Sequence, residues 1–70
     1  MATVRFDLEG EYVELNQLLK LVGLCGSGGI GKQIVASGAV SVDGRQELRK
    51  TAKIRAGQAV SVDDVTITVV

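Results

Sequence analysis

The chain contains no histidine, a single cysteine at Cys25, and only two aromatic residues, Phe6 and Tyr12. Without imidazole there is no plausible zinc set and no histidine-based catalytic triad, so no metal and no cofactor are expected. One thiol cannot close an internal disulfide, and Cys25 reads as a reduced, partly buried small hydrophobe. Two aromatics are too few for a platform that stacks successive bases of an unpaired strand, and Phe6 falls on the apolar face of a strand. Long apolar runs are missing as well. Leu18 to Cys25 is short and is interrupted by Lys20, so no membrane span is expected. The start lacks the basic-then-apolar order of a signal peptide, which makes a cytoplasmic location the default expectation.

A net charge is also lacking: eight basic residues balance eight acidic ones, so no overall field draws the protein to nucleic acid or acidic lipid. The charges are unevenly spread. Asp7, Glu9, Glu11 and Glu14 face Arg5 alone in the first fourteen residues, whereas Arg45, Arg49, Lys50, Lys53 and Arg55 cluster in eleven residues whose one acid is Glu47. Seventy residues make one small domain, read as spanning residues 1–70, in which every element must contribute to one core.

Gly26-Ser27-Gly28-Gly29-Ile30-Gly31-Lys32-Gln33 resembles two nucleotide-binding motifs at once. Gly26, Gly28 and Gly31 fit the dinucleotide fingerprint, and Gly26, Gly31 and Lys32 fit a phosphate-binding loop. The second match fails at Gln33, where a Mg²⁺-holding hydroxyl belongs. Either fold also needs more parallel sheet than this length allows.

Thr3 to Leu8 alternates apolar Val4, Phe6 and Leu8 with polar residues, the period of a half-buried strand. Leu15, Leu18, Leu19 and Val22 then repeat at helical spacing, with Asn16, Gln17 and Lys20 on the other face, Leu21 off the stripe over a strand, and Gly23 closing the helix. Ser27 is a good N-cap for a second helix running to about Ser37, with Ile30, Ile34 and Val35 as its apolar side and Lys32 and Gln33 opposite. Three glycines in its first turn cost up to roughly 1 kcal/mol each relative to Ala, which close packing against the first helix offsets. Val40-Ser41-Val42 enters a type I′ turn at Asp43-Gly44, and the return segment Arg45–Ile54 carries the basic cluster with Leu48, Ala52 and Ile54 turned inward. Ala59–Val62 and the β-branched run Val65–Val70 complete the strands, the last read as a candidate exposed edge open to strand addition. The expected fold is α+β, with two short helices packed on a small mixed or mainly antiparallel sheet of about four to five strands.

Catalysis has little to work with, because the acids are scattered and Ser27 has no base partner, so no enzyme and no catalytic residue are expected. The basic segment is the functional lead. With Lys20 and Lys32 from the helix faces, and free N–H groups at the Gly28-Gly29 helix start, it suits phosphates, and a cationic surface without aromatics suits structured RNA better than an unpaired strand.

The runs Leu15–Gly23, Ser27–Lys32, Gly38–Gly44, Glu47–Lys50 and Lys53–Gly57 together resemble the S4 (S-four) RNA-binding domain, above all its small stand-alone bacterial members, over residues 12–62. The resemblance implies binding of structured ribosomal or transfer RNA through two helices and the following hairpin. Three positions depart from the family pattern: Glu14-Leu15-Asn16 stands for Arg-Leu-Asp, Gly28 for an Arg, and Gln58 for an Asp, which shifts the expected surface toward the hairpin. The expected RNA-binding residues are Lys20, Lys32, Gln33, Arg45, Arg49, Lys50 and Lys53 in a monomer. The competing expectation is a protein-interaction module acting on a ribosome- or RNA-associated partner, and the nucleotide-loop reading predicts ATP stabilisation. A thermal melt with and without Mg·ATP is expected to show no shift in Tm, since a ligand that does not bind the native state cannot stabilise it.

Overall fold

The computed structural model describes residues 2–70. Its elements, in chain order, are β1 (Ala2–Phe6), β2 (Val13–Glu14), α1 (Leu15–Leu21), α2 (Gly28–Ala36), β3 (Val40–Val42), β4 (Arg45–Gln46), β5 (Lys53–Ile54), β6 (Ala59–Val62) and β7 (Val65–Val69). Five strands form one sheet in the order β1-β7-β6-β3-β4, and β2 pairs with β5 in a separate two-stranded ladder. The sheet is mixed because β1 runs parallel to β7 while the other ladders are antiparallel. The α+β expectation is met.

The closing strand is not the edge that its position in the chain suggested. β7 lies between β1 and β6, with Val4 opposite Ile67 on one side and Val60 opposite Ile67 on the other. A Val-Thr-Ile-Thr-Val run that buries Ile67 and Val69 needs such neighbours, and the edges fall instead to β1 and the two-residue β4. The hairpin turn follows its sequence signal: Asp43 and Gly44 both have positive φ, 51° and 84°, as a type I′ turn requires. The Asp43 carboxylate also accepts from the Ala59 amide at 2.9 Å and from Gln58 Nε2 at 3.3 Å, tying the turn to the start of β6.

Leu15, Leu18 and Leu19 of α1 are fully buried with Val35 of α2 and Val40, Val60, Ile67 and Val69 of the sheet. Three apolar residues depart from expectation. Leu21 and Ile30 lie outside the core and are exposed, and Leu48 is exposed because the return segment leaves the sheet after Gln46 and forms a loop before β5. Ala52 and Ile54 do turn inward.

The largest departure is Asn16, expected on the solvent face and found only 2% exposed. Helix α2 crosses that face. Gly31 is the point of closest approach, since a Cβ there would stand 2.5 Å from the Asn16 carbonyl oxygen and 3.2 Å from its Cα. Those are backbone atoms, so the helices would have to separate. Gly31→Ala therefore sets a helix-propensity gain of about 1 kcal/mol against an overpacking cost of roughly 1–3 kcal/mol. The expected outcome is a lower Tm. Gly29→Ala in the same turn meets only Ser27 Oγ at 3.8 Å and is expected to leave Tm unchanged or raise it, so thermal denaturation of the pair separates packing from propensity.

Candidate nucleic-acid interface

An α-helix begins with N–H groups that have no partner within it. In α1 the Glu14 side chain makes no cap. The basic loop does that work with its backbone: the Leu15 amide donates to the Ala52 carbonyl at 2.8 Å and the Asn16 amide to the Lys50 carbonyl at 3.1 Å. The loop that carries Arg49 and Lys50 is thereby fixed to the start of the first helix. Below it, β5 pairs with β2, setting Lys53 opposite Glu14 and Ile54 opposite Val13.

The second helix joins through the same residue. Asn16 Nδ2 donates to the Gly28 carbonyl at 3.4 Å, while its buried Oδ1 has no partner. Ser27 caps α2 as expected, its Oγ accepting from the Ile30 amide at 3.2 Å. Gly28 has a local reason to lack a side chain: a Cβ there would stand 2.6 Å from Gln17 Nε2 and 3.3 Å from Asn16 Nδ2, so α1 side chains occupy that space. Lys32 and Gln33 follow Gly31 on the exposed side of α2.

Arg49, Lys53, Thr51 and Ala52 line an open depression of about 510 Å³. Arg49 is held there by Glu47, its Nε at 3.0 Å from Oε2 and its Nη2 at 2.9 Å from Oε1, and the Arg49 amide donates to Oε2 at 3.0 Å. These bonds hold the Glu47 carboxyl far below its ordinary value, at about 2, and raise Arg49. Lys50 is exposed. Lys53 Nζ lies 5.0 Å from the Tyr12 ring centroid and Arg55 Cζ 5.8 Å from it, two cations on one aromatic.

The structure thus gathers Arg49, Lys50 and Lys53 at the start of α1, with Lys32 and Gln33 on the helix packed there. Lys20 is exposed in the last turn of α1, and Arg45 sits on the edge strand β4, opposite Val42. Among the described residues Arg45 makes no side-chain hydrogen bond or ion pair. Three roles were not read from sequence: Asn16 as the joint of the three segments, Glu47 as the clamp on Arg49, and Tyr12 as the ring that Lys53 and Arg55 approach. The available signal for the first was a polar residue in the opening turn of a helix followed by a Ser-Gly-Gly-x-Gly run. Among the described residues no helix is long and apolar enough to cross a membrane.

The sequence pattern of the S4 domain matches residues 6–70, more of the chain than the 12–62 expected. A protein of Escherichia coli (strain K12) named "Putative RNA-binding protein YbcJ" is 49% identical over 59 residues, 84% of each chain. A Shigella flexneri protein, "Uncharacterized protein YbcJ", is similar to the same extent. The solution structure of the Escherichia coli protein superposes with a TM-score of 0.70 at 46% identity, covering 100% of this chain and 87% of that one, and is described as revealing an "ALFAL motif" involved in RNA binding.

The Glu47–Arg49 clamp has a pH signature. A carboxyl lowered from 4.5 to about 2 on folding contributes stability that is present above pH 4.5 and is lost as pH falls through about 2. An NMR titration of the Glu47 side chain is expected to give a midpoint near 2, and Arg49→Gln to return it toward 4.5. An unchanged midpoint in the variant would assign the shift elsewhere.

Proposed function

Since the chain belongs to the S4 domain family, we propose that it binds structured RNA, ribosomal or transfer, on the surface made by α1, α2 and the loop between β4 and β5. The observation that carries the reading is the pair of hydrogen bonds from the Leu15 and Asn16 amides to the Ala52 and Lys50 carbonyls. They hold the loop's cations in fixed relation to α1 and, through the Asn16 side chain, to α2, which is what recognition of a folded backbone requires. Lys50 and Lys53 supply unpaired charge to phosphates, Lys32, Gln33 and Lys20 extend the surface along the helices, and Arg45 marks its hairpin end. Arg49 is a conditional contributor. Its guanidinium must leave Glu47 or share it to meet a phosphate in the bidentate geometry that suits it. The YbcJ relatives, one named for RNA binding, support the class of ligand.

Phosphate contacts release counterions, so log affinity falls with log salt by about 0.9 for each phosphate neutralised in a duplex. About four contacts give a slope between about −3 and −4, measured by gel shift with a transfer RNA or a ribosomal stem-loop. Lys50→Gln with Lys53→Gln is expected to flatten the slope by about two and weaken binding, while Glu47→Gln, which frees Arg49, is expected to tighten it several-fold. Absent or salt-insensitive binding would overturn the reading.

A further inference from the structure

Across Tyr12 from the cationic cluster lies a groove of a different character. Its volume is about 340 Å³. Phe6, Leu8 and Val13, all half-buried, form its floor. Tyr12 and Leu21, exposed by 41% and 58%, stand at its sides. Asp7 and Glu9 lie at its rim, and Glu11 precedes Tyr12 in the same exposed turn. Of these acids only Asp7 has an ion-pair partner among the described residues, Arg5 at 3.0 Å, and that pair is exposed on both sides. Leu21 has no packing role in the core, and a second large apolar side chain beside it makes a patch rather than an isolated residue.

We propose that this groove docks a cationic segment of a second protein, one that carries an apolar anchor side chain. The apolar floor and walls fit such an anchor, and the acidic rim fits flanking Arg or Lys. The same rim disfavours RNA here, because phosphates would meet Glu9 and Glu11 where the neighbouring cations are already engaged, Arg5 on the Asp7 carboxylate and the Arg55 guanidinium on the Glu11 carbonyl, 3.4 Å away, and the Tyr12 ring. Tyr12 lies at the boundary: Lys53 and Arg55 approach its ring, and the ring also lines the groove. The domain therefore presents two adjoining faces of opposite charge, one for RNA and one for a basic protein segment, and the second stands whether or not the first is correct.

The test uses the full-length ¹⁵N-labelled chain and a short arginine-rich peptide bearing two leucines, with counterparts in which Glu replaces Arg or Ser replaces Leu. The expected result is amide shifts at Leu8, Glu9, Tyr12, Val13 and Leu21 with the first peptide, none with the acidic one, and roughly tenfold weaker binding with the serine one, the factor for losing burial of part of a leucine. Leu21→Ser, an exposed position, is expected to weaken peptide binding by about the same factor and to leave the RNA gel shift unchanged. Equal affinity for the serine peptide would reduce the site to diffuse charge attraction and overturn the proposal. So would the same shifts produced by raising protein concentration alone, which means a second copy fills the groove, or by RNA.

Discussion

The contact between Gly31 of α2 and the backbone of Asn16 in α1 is the constraint on which the rest of the molecule depends. It lets the second helix lie directly on the first turn of the first, closing over a polar residue that would otherwise be solvated. With the helices this close, Asn16 serves three segments. Its amide takes a carbonyl from the basic loop, its side chain reaches the opening of α2, and its neighbour Leu15 anchors the core. A seven-residue helix has little stability of its own, so burial of Leu15, Leu18 and Leu19, together with these tertiary bonds, holds it formed.

The loop between β4 and β5 caps a helix with its backbone and carries much of the basic cluster in its side chains. The Lys50 and Ala52 carbonyls cap α1 and the Ala52 side chain enters the core, while Leu48, Arg49, Lys50 and Thr51 are exposed. Cations on a loop held this way lose less conformational freedom on meeting RNA than cations on a free tail. Glu47 adds restraint by fixing Arg49 in a bidentate pair, and it also lowers the free charge of the surface. The chain's charge polarity thus becomes a polarity of surfaces, with Tyr12 between them.

Much of the secondary structure was legible in the chain because its signals are local. The alternation of β1, the Asp43-Gly44 turn, the Ser27 cap and the helix-ending glycines at Gly23 and Gly38 each depend on residues within a few positions of one another. The basic cluster was legible for the same reason. What could not be read were facts of pairing at a distance. The parallel β1–β7 ladder joins the two ends of the described chain, and it converts the closing strand from an edge to an interior strand. Strand alternation turned Leu48 inward, but the departure of its segment from the sheet leaves it exposed.

By itself the sequence determined the element types, the absence of histidine chemistry, the unequal distribution of charge and the family pattern, since each rests on residue identity and short spacing. Only the tertiary structure decided which faces those elements bury. Helical periodicity places Asn16 off the Leu15, Leu18 and Val22 stripe, yet it cannot say that a glycine fifteen residues later lets another helix cover that side. Nor can spacing tell that Glu47 holds Arg49 while Arg45 stands apart, because that choice depends on where the chain leaves the sheet and which carbonyls turn in to cap a helix.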